Sequence, residues 1–127
     1  GNVLANTLKG GNGNDMLQGD FGADLLRGGF GRDRYIYTEA AESASEQRDS
    51  VMFRKRDRFV FTDFDGDITT EGQQKLSFIG KNAFSGVAGE LRATRSVLEA
   101  DLNGDGLADF EVNLLRNNRI FSGNIVL

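Results

Sequence analysis

The chain has 127 residues, with 19 acidic and 15 basic side chains and a net charge of -4. It contains no cysteine and no histidine, which excludes disulfides, the usual zinc and copper ligands, and any serine–histidine–acid catalytic set. The mild acidity argues against a nucleic-acid partner, and no apolar run reaches the ~20 residues that cross a bilayer, so oxygen ligands for hard metal ions remain.

A nine-residue repeat opens the chain. Its four blocks run without a gap over Gly1–Lys9, Gly10–Gln18, Gly19–Arg27 and Gly28–Ile36. In the later blocks, glycines permit tight turns and an aspartate at position six adds a carboxylate beside exposed carbonyls, so the first six positions predict a ligand loop. The last three positions alternate outward, inward and outward, which predicts a short strand. The inward residues are Leu8, Leu17, Leu26 and Tyr35.

Two other interpretations of this glycine-rich tract were weighed. A flexible linker has no fixed repeat phase and does not place an apolar residue at the eighth position of every block. A phosphate-binding loop needs a lysine and a helix after its glycines, and neither follows Gly10–Gly13. The tract is therefore interpreted as a series of metal-ligand loops.

These blocks resemble the G-G-x-G-x-D-x-U-x nonapeptide of the RTX (repeats-in-toxin) proteins, a calcium-binding repeat. The resemblance implies an all-β fold in which residues 1–36 form a right-handed parallel β-roll, with two nonapeptides in each turn and calcium between loops two repeats apart. It also implies that Asp15 faces Asp33, and that Asp24 faces the altered loop around Asn6.

The resemblance also implies a set of calcium ligands. The site between Asp15 and Asp33 is expected to be the best, because the other stack has a neutral Asn6 and Leu4 in place of a glycine. Asp20 replaces a glycine and is either a ligand or an exposed side chain. The implied ligands are Gly11, Gly13, Asp15, Asp20, Asp24, Gly29, Gly31 and Asp33.

Beyond the repeats, the polar stretch Thr38–Arg48 predicts one or two helical turns or an ordered loop that caps the roll. Short apolar runs between turn signals then predict strands. These runs are Val51–Phe53, Arg58–Thr62, Lys75–Ile79, Glu90–Thr94, Ser96–Ala100, Phe110–Leu115 and Ile120–Leu127. Phenylalanine is usually buried, so a phenylalanine core is predicted. Its members are Phe59, Phe61, Phe64, Phe78, Phe84, Phe110 and Phe121.

The segment Lys75–Arg92, KLSFIGKNAFSGVAGELR, is similar to the carboxy-terminal domain of serralysin-type metalloproteases and related RTX exoproteins. That resemblance implies that residues 37–127 form a small β-sheet or sandwich-like cap, packed on the roll as one unit. The catalytic H-E-x-x-H motif of those proteases needs histidine, which this chain lacks. The chain is therefore not expected to be an enzyme itself.

A second metal-binding pattern lies at Asp101–Asp109, DLNGDGLAD, which resembles part of an EF-hand loop. Val112 stands where an EF-hand has its bidentate glutamate, and strand-like runs flank the loop. An Asx-rich hairpin turn that needs no metal is the alternative. The candidate ligands are Asp101, Asn103, Asp105, Asp109 and the carbonyl of Leu107.

Three further segments carry weaker signals. Asp63–Asp67 is interpreted as a turn rather than as a metal-binding loop, because the ligand spacing does not continue. Asp49 is a weak candidate ligand, because the second aspartate that family members have near this short strand is expected to be lost. The basic run Arg54–Arg56 is interpreted as a solvated face, with contact to an acidic polysaccharide as the alternative.

Together these features predict a calcium-dependent folding module, and the resemblance to RTX proteins implies secretion from a Gram-negative bacterium. By resemblance, type I secretion machinery would read a signal near Gly123–Leu127, although Asn124 stands where family tails place an acidic residue. A terminal core strand is the equal alternative for that tail. A homodimer by pairing of exposed roll ends is a further hypothesis, and a polysaccharide-binding accessory module is the alternative function.

Overall fold

The computed structural model describes residues 4–44, 46–116 and 119–127, so Gly1–Val3 of the first repeat lie outside the described residues. The described part consists of strands and two short 3-10 helices, Ala40–Ser43 and Ser122–Asn124, and the predicted all-β class is confirmed. None of its helices has the length and apolar character to cross a membrane. The strands are β1 (Thr7–Asn12), β2 (Met16–Leu17), β3 (Leu25–Phe30), β4 (Arg34–Ile36), β5 (Asp49–Val51), β6 (Arg58–Val60), β7 (Ser77–Phe78), β8 (Glu90–Ala93), β9 (Val97–Asp101), β10 (Phe110–Leu114) and β11 (Ile125–Val126).

The strands form two sheets. One has the order β1-β3-β5-β10-β9-β8-β7 and the other β11-β6-β4-β2. The strands of the repeats alternate between the sheets, and each pairs in parallel with the strand two repeats away, as Leu8 does with Leu26 and Leu17 with Tyr35. The parallel pairing continues past residue 36, because β5 joins β3 and β6 joins β4.

The predicted inward position of each repeat lies in or against the core. Leu26 and Tyr35 have no exposed surface, Leu17 is buried, and Leu8 packs against the core while partly exposed. Neighbouring residues point to the opposite face of a strand. Met16, beside Leu17, is accordingly exposed.

Stacked aromatic rings fill the centre of the molecule. Phe53 lies parallel to Phe59 with ring centroids 5.2 Å apart, and Phe61 meets Phe110 edge-on at 5.7 Å. Phe53 was predicted to lie in a strand but was not among the predicted core residues, and in the structure it is buried in an irregular segment after β5. Four of the predicted phenylalanines are buried. They are Phe59, Phe61, Phe64 and Phe110.

The prediction that Phe121 belongs to the core is wrong. Its side chain is 54% exposed, and the Arg119 guanidinium lies 4.9 Å from the ring centroid. Phe78 and Phe84 are only partly buried. The edge strand β7 leaves Phe78 partly uncovered, and Arg92 lies over the ring of Phe84 at 5.8 Å.

Several predicted strands are shorter in the structure. The predicted strand over Ile120–Leu127 is reduced to β11, because Ser122–Asn124 forms a 3-10 turn in which the Asn124 N–H donates to the Phe121 carbonyl at 2.9 Å. The run Val51–Phe53 contributes only Val51 to β5. The polar stretch after the repeats contains the predicted helical turn, at Ala40–Ser43.

The carboxy-terminal half joins the repeats through one sheet. Strands β8, β9 and β10 form an antiparallel meander, and β10 pairs in parallel with β5. In the other sheet, β11 pairs in parallel with β6. Buried residues from both halves belong to a single hydrophobic cluster, so the loops of the repeats rest on a shared core.

Candidate metal centres

The aspartates at position six of the repeats link loops that lie two repeats apart. The Asp15 N–H donates to Asp33 Oδ1 at 2.9 Å, and the Asn6 N–H donates to Asp24 Oδ1 at 2.7 Å. Both pairs are 18 residues apart. The structure thus brings Asp15 to Asp33 and Asp24 to Asn6, the pairs that the resemblance implies.

The second carboxylate oxygens of these aspartates have a different environment. The Oδ2 atoms of Asp15, Asp24 and Asp33 are buried and have no hydrogen-bond partner among the described residues. A buried oxygen without a partner costs free energy, and a carboxylate oxygen costs more than a neutral one. Each of these oxygens lies against the first glycine of its own repeat, where a Cβ would come within 2.5 Å of it at Gly10, 2.4 Å at Gly19 and 2.0 Å at Gly28.

Backbone carbonyls of the second repeat lie close to glycines of the fourth repeat. A Cβ on Gly29 would lie 2.1 Å from the Gly11 carbonyl oxygen, and a Cβ on Gly31 would lie 2.0 Å from that of Gly13. Gly29 and Gly31 also have φ values of +96° and +121°, which side chains rarely adopt. Only glycine lets the loop of the fourth repeat approach the carbonyls of the second repeat so closely.

This donor set fits calcium. Calcium prefers several oxygen ligands from carboxylates and backbone carbonyls, and the loops offer both types together with uncompensated buried carboxylate oxygens. On the other stack, Gly22 approaches the Leu4 carbonyl, which a Cβ would meet at 2.8 Å. Asp20 keeps the left-handed backbone of the glycine it replaces, with φ of +62°, a conformation that aspartate tolerates better than most residues.

In each stack of loops, a backbone N–H of one loop donates to the aspartate of a later loop, and we call this series of hydrogen bonds a ladder. Two aspartates beyond the repeats continue the two ladders. Asp49 Oδ1 accepts from the Asp24 N–H at 2.8 Å, and Asp57 Oδ1 accepts from the Asp33 N–H at 3.1 Å. The expected loss of the second ligand near Asp49 stays a prediction, although a second aspartate does continue the other ladder. This aspartate, Asp57, lies on the far side of the basic run, and its signal was an aspartate directly before β6, just as Asp33 directly precedes β4.

These two outer aspartates use both of their oxygens within the protein. Asp49 Oδ2 accepts from the Tyr37 hydroxyl at 2.8 Å. Asp57 Oδ2 accepts from the Arg54 N–H at 2.8 Å and from the Tyr35 hydroxyl at 3.4 Å. Hydrogen-bond donors of the protein therefore satisfy the Oδ2 atoms of these two aspartates, whereas the Oδ2 atoms of the repeat aspartates stay open.

Burial shifts the acid equilibria of this region. It raises the pKa of Asp49 to about 7, although hydrogen bonds from the Asp24 N–H and the Tyr37 hydroxyl oppose the shift. Burial also raises the pKa values of Asp24, Asp57 and Glu42. Burial in low dielectric disfavours a charged carboxylate, and a bound cation would favour it.

The loop Asp101–Asp109 joins β9 to β10 and gathers three carboxylates. Asp101, Asp105 and Asp109 each offer an oxygen within 4.8 Å of the others. Asp101 Oδ1 accepts from the Gly104 N–H at 2.9 Å, and Asp109 Oδ2 accepts from the Leu102 N–H at 2.8 Å. These bonds are those of an Asx-rich turn, and the three carboxylates are grouped within it.

The other candidate ligands of this hairpin take part in the same turn. The Asn103 side-chain oxygen accepts from the Asp105 N–H at 3.2 Å, and the Leu107 N–H donates to Asp105 Oδ1 at 2.9 Å. Among the described residues, a group of three carboxylates is found here and not in the repeats, where a loop offers at most two aspartates, Asp20 and Asp24 of the third repeat, beside its carbonyls. The two kinds of site therefore differ in ligand chemistry.

The weaker candidates have structural partners. Asp65 Oδ1 accepts from the Asp67 and Gln74 N–H groups, both at 3.1 Å, so this segment is a hydrogen-bonded turn. The Arg54 guanidinium lies 4.8 Å from the centroid of the Phe30 ring. Arg56 lies in a cleft of about 360 Å³ with three other arginines. They are Arg32, Arg34 and Arg58.

Residues 1–35 match the RTX calcium-binding nonapeptide repeat in four copies. The amino-terminal region is therefore an RTX repeat array, and RTX nonapeptide repeats bind calcium. Such repeats are typical of secreted proteins of Gram-negative bacteria, and they are a calcium-binding module without catalytic function. No curated protein sequence matches the chain. The segment Lys75–Arg92 lies outside the matched residues, so its resemblance to serralysin-type domains stays a prediction.

Proposed function

We propose that this chain is a calcium-dependent folding and stabilising module of a secreted RTX protein, and that it is not itself an enzyme. The observation that carries the proposal is the set of buried Oδ2 oxygens on the repeat aspartates, which find no hydrogen-bond partner among the described residues. Burying three such oxygens beside glycine carbonyls is costly in a metal-free protein and favourable around a hard cation.

The proposed architecture is a right-handed parallel β-roll over residues 1–36, on which residues 37–127 pack as one capping and secretion unit. Parallel pairing between strands two repeats apart supports the roll. The single hydrophobic cluster that spans both regions supports packing as one unit.

The proposed ligands fall into three groups. Asp15 and Asp33 hold one ion together with glycine carbonyls of their loops, Asp24 serves the other stack with Asp20, and the hairpin carboxylates form a further site. The carbonyls of the first group belong to Gly11, Gly13, Gly29 and Gly31. The hairpin ligands are Asp101, Asn103, Asp105, Leu107 and Asp109.

Calcium acts here as a folding switch. Without it, neighbouring carboxylates repel one another and glycine makes the unfolded chain entropically favourable. When the free calcium concentration is ten times the dissociation constant of a site, binding there adds about 1.4 kcal/mol to the free energy of unfolding. With affinities of extracellular modules, roughly 0.1 to 1 mM, the sites stay empty in the cytosol and fill after export through type I secretion machinery.

Far-UV circular dichroism during a calcium titration of chelated protein tests this function, with Asp15→Ala/Asp33→Ala as the variant. We expect a transition to β structure at submillimolar to millimolar calcium, displaced to higher calcium in the variant. An unchanged, fully folded spectrum in chelator would show that calcium is not needed for folding.

The alternative function, binding of an acidic polysaccharide, is not favoured by the family match, which points to calcium. The cleft lined by four arginines gives it a specific test. Retention on alginate that Arg56→Ser and Arg58→Ser abolish, with the calcium response intact, would support the alternative. Equal passage of both proteins through the column would reject it.

A further inference from the structure

We propose that the cleft beside the second and fourth repeats is a binding site for a phosphate-bearing anion, held by the side chains of four arginines. The four are Arg32, Arg34, Arg56 and Arg58. The inference goes beyond the proposed function, since it gives the molecule an anionic ligand in addition to calcium and uses residues that none of the proposed metal sites includes.

The arginines come from two copies of one three-residue motif, Arg-Asp-Arg. One copy is Arg32–Arg34 in the fourth repeat, and the other is Arg56–Arg58, which ends at the first residue of β6. Successive residues of an extended chain point to opposite sides, so the two arginines of a copy share one side and the aspartate between them points away. The burial agrees, because Asp33 and Asp57 have no exposed surface while all four arginines are exposed.

The two motifs lie side by side because β4 and β6 are neighbouring parallel strands. Arg34 and Arg58 are direct partners in this pairing, and neighbouring strands are about 5 Å apart. The Arg58 N–H donates to the Asp33 carbonyl at 2.9 Å, which extends the alignment to the middle of the motifs. The cleft that all four arginines line has a volume of about 360 Å³, a size typical of sites for small ligands.

The positive charge of this cleft is not balanced within the described part of the chain. Neither of the ion pairs found there involves an arginine of the cleft. Two carboxylates, those of Asp15 and Asp33, also line the cleft, so the four arginines leave an excess of two positive charges. Like charges on directly opposed residues of neighbouring strands are destabilising, as at Arg34 and Arg58. An anion that bridges the arginines would remove this repulsion.

Phosphate matches the arrangement better than a carboxylate does. A guanidinium presents its N–H groups in a planar fork that pairs with two oxygens of a phosphate or a carboxylate at once. A carboxylate has only two oxygens, whereas a phosphate monoester has three acceptor oxygens and nearly two negative charges, so it can accept from several arginines together. The described residues that line the cleft include no aromatic ring, so it lacks a surface on which a nucleobase would stack.

Isothermal titration of the full chain with glycerol phosphate, a soluble phosphate monoester, tests the site in the presence of calcium. Arg34→Gln/Arg58→Gln removes the cross-strand pair. Arg27→Gln/Arg116→Gln is the matched control, because it removes two exposed arginines that do not line the cleft. We expect wild type and the control to bind equally and the cleft variant to bind at least tenfold more weakly. Absence of binding by wild type, or equal binding by the cleft variant, would overturn the inference.

A lysine variant separates a shaped site from a surface that is merely positive. Arg34→Lys/Arg58→Lys keeps both charges but loses the planar forks, so its affinity for glycerol phosphate should fall toward that of the glutamine variant. Wild-type affinity in the lysine variant would mean non-specific attraction and would reject the site. Circular dichroism monitors folding, and Arg32→Gln/Arg56→Gln replaces any cleft variant that does not fold.

The source of the phosphate is decided by vesicles of phosphatidic acid in phosphatidylcholine. Cosedimentation of wild type but not of Arg34→Gln/Arg58→Gln, together with binding of glycerol phosphate, would assign the site to a lipid headgroup. Binding of glycerol phosphate without cosedimentation would assign it to a soluble phosphate compound, and either result supports a phosphate site. Binding of alginate oligomers by a protein that does not bind glycerol phosphate would overturn the inference in favour of the acidic polysaccharide.

Discussion

At the residue scale, this molecule separates two kinds of aspartate by what their second oxygen meets. Asp33 Oδ2 is buried without a partner in the described structure, whereas Asp57 Oδ2 accepts from the Arg54 N–H. Both Oδ1 atoms accept from the backbone N–H of the preceding aspartate in the ladder, that of Asp15 for Asp33 and that of Asp33 for Asp57. The first kind is suited to metal, and the second is satisfied by the protein alone.

The same Asp→Asn substitution should therefore affect calcium affinity at Asp33 and stability without calcium at Asp57. Asp33→Asn keeps an acceptor for the Asp15 N–H and removes a calcium ligand, so calcium affinity should fall on the order of tenfold with little loss of stability in chelator. Asp57→Asn leaves at least one donor, such as the Arg54 N–H, without its acceptor and should lower stability in chelator by about 1–3 kcal/mol. Urea denaturation with and without calcium measures both effects. Identical behaviour of the two variants would contradict the distinction.

A pair of glycines permits a second test at this scale. Gly11 and Gly29 have nearly equal φ values, +98° and +96°, so alanine should add similar backbone strain of about 1–2 kcal/mol at either position. A Cβ at Gly11 meets nothing within 4 Å, whereas one at Gly29 meets the Gly11 carbonyl at 2.1 Å. Gly29→Ala should therefore weaken calcium binding in a titration far more than Gly11→Ala. Equal affinities would show that this carbonyl is not a ligand.

At the scale of elements, the tail illustrates how one amide fixes a strand. The Asn124 amide nitrogen donates to the Lys55 carbonyl at 3.1 Å and to the Asp57 carbonyl at 3.0 Å, and its oxygen accepts from the Phe121 N–H at 3.0 Å. These bonds hold β11 beside β6 and give the Asn124 amide a structural role.

Asn124→Asp should therefore destabilise the fold, even though it introduces the acid that the resemblance to RTX tails would place here. The carboxylate keeps the acceptor for Phe121 but loses both donors, with an expected loss of about 1–2 kcal/mol in chemical denaturation. Asn82→Asp makes the same change of charge at an exposed site and should be close to neutral. A gain in stability for Asn124→Asp would mean that the amide donors are not important.

At the scale of the whole molecule, apolar burial is distributed unevenly along the chain. Leu17, Leu26 and Tyr35 are the buried hydrophobic residues of the described repeats, and the rest of the cluster comes from residues 37 onward. Apolar burial provides most of the stability of a fold. We therefore expect the first repeats to depend most on calcium for their stability, and the carboxy-terminal sheet to depend on it least.

Hydrogen–deuterium exchange should resolve this gradient. In chelator we expect rapid exchange in β1 and β2 and slower exchange in β9 and β10, because the latter strands lie in the larger part of the core. Added calcium should extend protection to β1 and β2. Uniform exchange in chelator would instead indicate that calcium controls the whole fold as one cooperative unit.

Much of the amino-terminal region could be predicted because its information is local. The nine-residue phase decides which side chain points inward and where a loop needs glycine, since both follow from strand alternation and allowed φ values. Leu17, Leu26 and Tyr35 accordingly lie in the core. The RTX match over residues 1–35 confirms that the phase identifies the calcium repeat.

Other features depend on contacts between residues distant in sequence, and only the tertiary structure decided them. Asp57 belongs to the aspartate ladder because β6 pairs with β4, and no local spacing indicates that pairing. Phe121 is exposed because the turn at Ser122–Asn124 directs the chain back to β6. The sequence by itself determined the repeat, its inward residues and the metal chemistry, because these are properties of short segments. The tertiary structure decided which carboxylates keep an open oxygen, because a donor that satisfies one, such as the Tyr37 hydroxyl at Asp49, is brought there only by folding.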